Sequence, residues 1–385
     1  MTRPIRTGLI GCGSLSLVGI LPQLAVADAR ERIELVAVCD VVEERARQAA
    51  AQFGVADAYA DAAPLIARDD IELVLVITPI PFHHRYALAA LQAGKHVYVQ
   101  KTMTATYGEA KELVQVARER ERVLVAAPGQ MLAPAMAAMK TLVDHDALGP
   151  LYWAWGSTPG WNHEYERTRQ GDDVLHSVDP SWYYRPGGGP LRDVTVYVLH
   201  ALTGILGPAQ RVTAMSGRRA QQRQWRDKTI PVEVDDNTLL LLDFGDAVFG
   251  VVGGHSSRTG RLMQWGAMGL YGGDGAVETL TIEPLSGHPT ELYLSSRQPL
   301  PDLPGLRQTG ADTFVTDSGL PGVDAIHAAI PEPHVYADIL HTADRILSGA
   351  PPIASGEHAA HVIEIIERGY EAARTGQTQA LESRF

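Results

Sequence analysis

Short apolar runs alternate with amphipathic stretches along the first third of the chain. The apolar runs predict β-strands at residues 5–10, 33–39, 73–77, 96–99 and 123–127. Between them, apolar residues recur with helical spacing at residues 43–52, 86–91 and 107–122. Uniformly apolar strands that alternate with helices are typical of a parallel sheet covered on both faces. We therefore predict a Rossmann-type, doubly wound α/β domain over residues 1–129.

The pattern changes after residue 130. Strand-like runs recur at residues 150–157, 210–215, 237–244, 247–253, 264–271 and 276–282, and turn signals such as Gly245-Asp246 separate them. Few helical repeats lie between these runs, which predicts an α+β domain over residues 130–355 with a large, mostly antiparallel open sheet. Residues 300–321 are rich in Pro, Gly and Asp and predict a surface loop. The tail, residues 356–385, predicts a helix that packs back on the first domain.

Composition narrows the class of protein. The chain has 385 residues, 45% of them apolar, a formal net charge of −12 and two cysteines. The acidic balance argues against nucleic acid or an anionic membrane as a partner. There is no signal-peptide pattern and no apolar run long enough to cross a bilayer, so we expect a cytoplasmic protein. We also expect no metal centre.

A glycine-rich turn follows the first predicted strand and reads Gly11-Cys12-Gly13-Ser14-Leu15-Ser16. In such a turn the first glycine permits the tight bend and the second lets the backbone approach a pyrophosphate. We expect Gly11, Gly13, Ser14 and Leu15 to hold a dinucleotide. Asp40 ends the second predicted strand, where it can accept hydrogen bonds from the ribose hydroxyls. This favours NAD, with NADP left open; the alternative is that Asp40 only caps the helix after it.

Lys101 follows the predicted strand at residues 96–99. Ligands of parallel α/β sheets bind beyond the carboxyl ends of the strands, so an ammonium group here is well placed for chemistry. The alternative is an ordinary solvated loop lysine.

The second half carries one chemical signal, the stretch from Gly187 to His200. Pro190 predicts the first residue of a helix. On that helix Asp193, Tyr197 and His200 have the spacing i, i+4 and i+7, which predicts that they share one face. We predict that these three residues and Lys101 are catalytic; the alternative is a polar face turned to solvent.

Aromatic and polar residues crowd the segment between residues 161 and 185. Flat aromatic faces with polar partners suit the faces and hydroxyls of a sugar ring. The alternative is a packed loop that joins the domains. We predict a substrate site formed by Gln130, Trp161, His163, His176, Tyr184 and Arg185.

Several motifs together resemble the Gfo/Idh/MocA oxidoreductases. They are Gly11-x-Gly13, Thr78-Pro79 followed by His83, and Ala93-Gly94-Lys95-His96-Val97 before Gln100-Lys101. The resemblance implies that Thr78, Pro79, His83, Gln100 and Lys101 also contribute to the cofactor site. It further implies a homodimer or homotetramer formed through the outer face of the second sheet.

The chain departs from the family pattern at Gln100-Lys101-Thr102 and again at Tyr197 and His200. The family usually has Glu-Lys-Pro where this chain has Gln100-Lys101-Thr102, and the bond before that proline is often cis. A cis bond before a non-proline residue costs about 3 kcal/mol, so we predict a trans bond before Thr102. Tyr197 stands where inositol dehydrogenases have a catalytic histidine, and His200 replaces the final aspartate of the motif. The proton acceptor is therefore either Tyr197 or His200.

These inferences predict a dehydrogenase that transfers a hydride between a secondary alcohol carbon of a sugar, glycoside or cyclitol and NAD(P). Lys101 is expected to lower the pKa of Tyr197, which takes the proton, while His200 orients it or relays the proton and Asp193 holds Lys101 or a substrate hydroxyl. One alternative is an enzyme that keeps its NAD and oxidises a glycoside hydroxyl transiently to labilise a neighbouring bond. Another is a nicotinamide-binding sensor without catalysis.

Overall fold

The first sheet is parallel and places the predicted cofactor turn at its centre. The computed structural model describes residues 3–159, 162–258, 264–282, 289–309, 312–316 and 319–385. Six strands pair in the order β3-β2-β1-β4-β5-β6. The order reverses between β1 and β4, and such a switch point opens a crevice for ligands. The strands are β1 (Ile5–Ile10), β2 (Ile33–Cys39), β3 (Asp57–Tyr59), β4 (Leu73–Val76), β5 (His96–Val99) and β6 (Leu124–Ala126).

Helices cover both faces of this sheet. A π-helical turn, Ser16–Ile20, follows the glycine-rich turn and leads into the first α-helix. The helices are α1 (Leu21–Ala25), α2 (Ala27–Arg32), α3 (Glu43–Phe53), α4 (Ala62–Ile66), α5 (His83–Gln92) and α6 (Tyr107–Glu119). Helix α6 begins with a reciprocal cap in which Thr106 and Glu109 bind each other's backbone N–H groups. The predicted doubly wound α/β domain is confirmed.

The second sheet has ten strands in the order β16-β17-β15-β14-β13-β7-β12-β11-β8-β18. All pairs are antiparallel except β7 with β12. The larger strands are β7 (Leu151–Pro159), β8 (Arg211–Gly217), β11 (Asn237–Asp243), β12 (Phe249–His255), β13 (Ala267–Gly272), β14 (Gly275–Ile282) and β15 (Pro289–Ser296). The predicted mostly antiparallel sheet is confirmed.

Five short strands complete the described part of this half, and two of them correct a prediction. They are β9 (Gln222–Trp225), β10 (Lys228–Pro231), β16 (Leu306–Thr309) and β17 (Asp312–Thr316), with β18 (Gln379–Ala380) at the sheet edge. Strands β9 and β10 form a separate hairpin. The expectation of a surface loop at residues 300–321 is wrong, because β16 and β17 pair with each other and β17 pairs with β15. The loop prediction used the local composition alone, and composition does not show which strands will pair with one another.

Six further α-helices follow α6 in the described residues. They are α7 (Pro134–Asp144), α8 (Pro190–Asp193), α9 (Thr195–Leu206), α10 (Ala325–Ala328), α11 (Pro333–Ser348) and α12 (Gly356–Thr375). Helix α11 buries Val335, Ile339 and Leu340 in the same core as Leu9 and Leu73 of the first sheet. None of the helices in the described ranges combines the length and apolar content that a membrane span requires.

Helix α12 joins the two cores. Ala359 and Ile363 pack with the first sheet, whereas Val362 and Ile366 pack with the second. The two residues of each pair are four positions apart and so share one side of the helix, and the two pairs face different sides. Two C-terminal helices, α11 and α12, therefore hold the first domain and the second sheet together.

Asp338 is a buried carboxyl group on α11 that faces the first domain. Its two oxygens accept from the backbone N–H of Gly129, at 3.1 and 3.2 Å. Burial raises the pKa of Asp338 from 3.8 to about 7, although the Gly129 N–H favours the charged form. The folded chain therefore keeps a proton that the unfolded chain has already released.

This carboxyl group predicts a pH dependence of stability. Between pH 4 and about 7 the folded state binds more protons than the unfolded state, so stability falls as the pH rises. Asp338→Asn removes the titration, so the variant should gain stability relative to wild type from pH 5 to pH 8, by at most on the order of 4 kcal/mol. Thermal unfolding across this range measures the difference. Asp344→Asn, an exposed change on the same helix, serves as the control, and a parallel response of both variants would contradict the prediction.

Candidate active site

The glycine-rich turn leaves room for a ligand on one side only. Gly11 has a φ of +104°, and a Cβ atom there would lie 2.4 Å from the carbonyl oxygen of Ile77. A Cβ atom at Gly13 would meet no atom within 4 Å, so that side of the turn is open. Ser16 donates from Oγ to the carbonyl oxygen of Gly11 at 2.5 Å, which fixes the bend. This cradle fits a pyrophosphate close to the backbone.

Asp40 ties this turn to the start of α3. Its Oδ2 accepts from the N–H of Cys12 at 2.9 Å, and its Oδ1 accepts from the N–H of Val42 at 2.9 Å. Arg45 donates to the same Oδ1 at 3.1 Å. The N-cap of helix α3 is Val42, and no side chain caps it. Because Asp40 also binds the N–H of Cys12 in the glycine-rich turn, it is more than a helix cap. A carboxylate at this strand end fits the ribose of NAD.

A segment from the second half of the chain reaches this turn. The hydroxyl oxygens of Ser14 and Thr168 lie 2.6 Å apart. Arg45 donates from Nε to the carbonyl oxygen of Val174 at 3.1 Å. Residues around 168–174 therefore lie across the turn that would hold the dinucleotide.

Lys101 joins the two halves of the molecule. Its Nζ donates to Oδ1 of Asp193 at 2.8 Å and to the carbonyl oxygen of the same residue at 2.6 Å. Both side chains are mostly buried, with exposed fractions of 14% and 4%. The expectation of an ordinary solvated lysine does not fit these contacts. An ammonium group beyond β5 thus meets the helix that carries the predicted catalytic residues.

The peptide bond between Lys101 and Thr102 is cis, so the predicted trans bond is wrong. The prediction rested on the intrinsic preference of a non-proline bond. Tertiary contacts hold both residues instead: Lys101 binds Asp193, and the Thr102 hydroxyl donates to the carbonyl oxygen of Arg192.

Hydrogen bonds link the other predicted residues of the cofactor loop near Lys101. Nε2 of His83 lies 2.6 Å from the carbonyl oxygen of Thr78, and its Nδ1 lies 2.8 Å from that of Thr102. Burial lowers the pKa of His83 to about 4. Gln100 accepts from the N–H of Lys101 at 2.9 Å. Pro79 precedes a short 3-10 helix, Ile80–Phe82, at the end of β4.

His163 lies behind Asp193 and was predicted to bind substrate. Its Nε2 is 2.9 Å from Oδ2 of Asp193, and its Nδ1 contacts the carboxylate of Glu166. Arg169 donates to the other oxygen of Glu166 at 2.5 Å. Burial lowers the pKa of His163, but the two carboxylates outweigh it and the net shift is upward. Both ring nitrogens are thus engaged, and His163 supports Asp193.

The pKa of Asp193 follows from these neighbours. Burial alone raises it, but the charges of Lys101 and His163 and their hydrogen bonds hold it well below its usual range. Asp193 is therefore an anion that positions the ammonium group of Lys101.

Tyr197 lies one turn further along, on α9. The helix breaks at Val194, which separates α8 from α9. Glycines in the sheet let α9 lie directly on it: a Cβ atom at Gly156 would come within 2.2 Å of Val198, and one at Gly254 within 2.2 Å of Thr195. The Nζ of Lys101 lies 5.6 Å from the centre of the Tyr197 ring. The sheet thereby sets how far the phenol projects toward Lys101.

The expectation that Lys101 lowers the pKa of Tyr197 is wrong. Burial raises this pKa well above 10, and the carboxylates of Glu332, Asp193 and Asp338 raise it further. Lys101 is already paired with Asp193, so its charge is partly compensated. Tyr197 is accordingly a neutral phenol that needs a proton acceptor of its own.

The prediction that three side chains share one face fails at His200. The His200 ring lies 4.6 Å from the ring of His358 on α12, away from the predicted site. Burial lowers its pKa well below 6.5, and the neighbouring His358 and His361 lower it further. Tyr197 and His200 lie on the same unbroken helix, but Tyr197 contacts His334 on α11 whereas His200 contacts His358 on α12, and helical spacing alone does not encode these different partners.

His334 takes the place beside the phenol. Its Nε2 lies 3.1 Å from the hydroxyl oxygen of Tyr197 and 3.5 Å from Oε2 of Glu332. Glu332 has a φ of +60° at the N-terminus of α11. Sequence reasoning missed both residues, because they lie far along the chain from Tyr197. The one local signal was Pro333, which suits the first position of a helix.

A small cavity opens beside Tyr197. It is lined by Gln130, Met136, Tyr197, Val198, Ala201, Trp265, Gly266 and Met268. The Trp265 ring packs edge-on against Tyr197 at 4.8 Å, and its indole nitrogen is buried without a partner among the described residues. Gln130 and Trp265 can thus present polar groups next to the phenol.

The other predicted substrate residues are spread more widely. Tyr184 is buried in a small aromatic cluster and donates to Glu164. His176 is half exposed and pairs with Asp173, and Arg185 is exposed. Trp161 lies outside the described residues. The structure brings together Lys101, Asp193, His163, Tyr197 and Gln130, but it does not gather the whole predicted substrate set.

Two family models match most of the chain. An oxidoreductase family model with an NAD-binding Rossmann fold, Gfo/Idh/MocA, matches residues 5–127. The C-terminal domain model of the same family matches residues 136–278. These ranges include the glycine-rich turn, Lys101, Asp193 and Tyr197.

Characterised relatives are more distant. The chain is 32% identical over 210 residues to dTDP-3,4-didehydro-2,6-dideoxy-alpha-D-glucose 3-reductase of Streptomyces violaceoruber, covering 54% of this chain but only 57% of that protein. It is 27% identical over 268 residues to D-glucoside 3-dehydrogenase of Escherichia coli K12, covering 66% and 68% of the two chains.

A solved structure extends the likeness in fold over nearly the whole chain. Levoglucosan dehydrogenase in complex with NADH and levoglucosan superposes with a TM-score of 0.77 at 20% identity, covering 99% of this chain and 100% of that one. At this identity the likeness shows the fold alone. The two family models establish that the chain belongs to the Gfo/Idh/MocA family of oxidoreductases and has an NAD-binding Rossmann domain.

Proposed function

We propose that this protein is an NAD-dependent dehydrogenase that oxidises a secondary alcohol carbon of a sugar, glycoside or cyclitol. The observation that carries the proposal is the buried pair of Lys101 and Asp193 beside Tyr197. An ammonium group and a phenol on either side of one space suit the binding of an alcohol oxygen. The named activities of the relatives, which act on a glucoside or a deoxyglucose nucleotide, support this substrate class.

Each residue has a separate role in the proposed reaction. Lys101 donates to the reacting oxygen and stabilises the negative charge that develops on it. Asp193 and His163 keep the ammonium group in place. Tyr197 receives the hydroxyl proton. Gly11, Gly13 and Asp40 hold NAD, which when bound accepts the hydride from the substrate carbon.

The first test is activity. Purified protein with NAD should reduce the cofactor, read by absorbance, in the presence of at least one member of a panel of glycosides, anhydrosugars and cyclitols. Lys101→Ala should lower kcat/KM by about 10²- to 10⁴-fold, the usual contribution of a group that assists proton movement. Lys140→Ala, which removes an exposed lysine, is the matched control. A Lys101→Ala variant with most of its turnover would contradict the proposal.

A second candidate is supported by the segment that crosses the glycine-rich turn. The contacts of Thr168 with Ser14 and of Val174 with Arg45 would slow the exchange of a bound dinucleotide. An enzyme that keeps its NAD could oxidise a glycoside hydroxyl transiently and return the hydride. Release of free NADH during turnover would exclude this candidate, and binding of cofactor without turnover on any panel member would favour a sensor.

Cofactor choice provides a second prediction. Asp40 presents negative charge where NADP carries its 2′-phosphate, and it holds Arg45, so NAD should be preferred. Asp40→Ser removes this charge and frees Arg45, so kcat/KM for NADP relative to NAD should rise by at least about tenfold, equivalent to about 1.4 kcal/mol. Because the kcat/KM values for NADP and NAD are compared within one variant, a general loss of folded protein affects both values and leaves their ratio unchanged. An unchanged ratio would contradict the role of Asp40.

We further propose that the protein is a homodimer or homotetramer assembled through the outer face of the second sheet. Apolar side chains on β7, β8, β11 and β12 lie exposed in register on this face: Trp153, Met215, Leu239, Leu241, Phe249 and Val251. Met215 is 79% exposed and Leu239 is 52% exposed. An apolar patch of this kind is typical of a protein interface.

Sedimentation equilibrium tests the assembly. Wild type should sediment as a dimer or tetramer, and the double variant Leu239→Asp/Leu241→Asp should shift to monomer, because two carboxylates would lose their hydration in the interface. Leu347→Asp, an exposed leucine on α11, is the matched control and should keep the wild-type mass. A monomeric wild type would overturn the proposed assembly.

A further inference from the structure

Tyr197 is a neutral phenol at the site. It can accept a proton from the substrate only if it passes its own proton to a neighbouring group. The hydroxyl group lies 3.1 Å from Nε2 of His334, within hydrogen-bond distance. The rings of the two residues lie 5.7 Å apart at a steep angle, so the nitrogen meets the phenol edge. His334 is buried, with a side-chain exposure of 6%. The imidazole is therefore placed to accept from the phenol away from bulk water.

Glu332 continues this path toward solvent. Its Oε2 lies 3.5 Å from the same Nε2 of His334, and its side chain is 32% exposed. The residue has a φ of +60°, a conformation that costs free energy for a residue other than glycine and that often marks functional positions. Its Cβ packs against Gly19, where an added Cβ would lie only 2.7 Å away. The fold thus holds a carboxylate between the buried imidazole and water.

We propose that Tyr197, His334 and Glu332 form a proton relay that carries the substrate hydroxyl proton out of the site. This inference rests on the proposed dehydrogenase function. The O–H bond of the substrate breaks and its proton goes to the Tyr197 oxygen, while the phenol proton goes to Nε2 of His334. The imidazolium then gives that proton to Glu332, which releases it to water. Bound NAD would accept the hydride from the carbon that bears this hydroxyl, so charge and electrons balance.

Charged groups around Glu332 set the pH at which it accepts protons. Burial raises the pKa of Glu332 to about 7; Lys101 lowers it, and Glu166 and Asp193 raise it. His334 faces it from its own helix. A carboxylate with this pKa exchanges protons with neutral water and with an imidazole at little cost. The relay should therefore lose its terminal acceptor as the pH falls below about 7.

Kinetics of the full-length protein test the relay on the substrate identified in the panel. The glutamine of His334→Gln can still hydrogen-bond to Tyr197, but its amide group cannot take up a proton at neutral pH. The kcat should therefore fall by about 10²-fold with little change in KM. Glu332→Gln should lower kcat by about tenfold and abolish the fall in rate below pH 7. Imidazole in solution should partly rescue His334→Ala. His145→Gln and Glu371→Gln are matched controls on the surface and should behave as wild type.

A readout without turnover separates the relay from the proposed function. In protein labelled with 15N-histidine, the signal missing from His334→Gln identifies His334. Its Nε2 shift should change in Tyr197→Phe and should follow a transition near pH 7 that Glu332→Gln removes. Unchanged His334 shifts in both variants would overturn the relay, whatever the activity. Wild-type kcat and pH profile in His334→Gln would also overturn it, whereas an inactive wild type with coupled shifts would overturn the dehydrogenase function alone.

Discussion

The site depends on one buried ion pair between the two halves of the molecule. Lys101 follows β5 of the first sheet, and Asp193 ends α8, which lies against the second sheet. A buried charge without a partner is costly, so neither residue can keep its charge unless the halves meet in this arrangement. Helices α11 and α12 make that meeting stable by burying apolar residues against the first domain. Packing of the helices thus positions the ion pair, and the ion pair positions the ammonium group of Lys101 at the candidate site.

Charges of alternating sign extend from this pair into the second half. Lys101 contacts Asp193, which contacts His163; His163 contacts Glu166, which contacts Arg169. Each charge lies beside an opposite one, which offsets the cost of removing the group from water. The upward shift of the His163 pKa follows from its place between two carboxylates. The segment around residues 163–169 therefore supports the ammonium group without touching it.

The sequence predicted what local patterns encode. Uniform apolar strands, the turn at Gly11 and the acid at Asp40 identify the first domain, because each acts through residues close in the chain. Asp193 and Tyr197 were found from helical spacing. Local reasoning failed at His200, which contacts His358 on α12, and at Thr102, which follows a cis bond. Neither His334 nor the pairing of β16 with β17 has a local signature, since each acts through partners that the fold brings together.

The failed prediction for Tyr197 is the physical reason for proposing a role for His334. A lysine beside a phenol was expected to lower its pKa, but Asp193 compensates that lysine, and burial and three carboxylates raise the pKa of the phenol. A phenol in such surroundings holds its proton and can take another only if it gives its own away at the same time. The imidazole of His334, at hydrogen-bond distance, makes that exchange feasible without a phenolate. In the proposed relay, the carboxylates that make Tyr197 a poor acid are compatible with catalysis, because one of them, Glu332, lies 3.5 Å from His334 and is partly exposed to water.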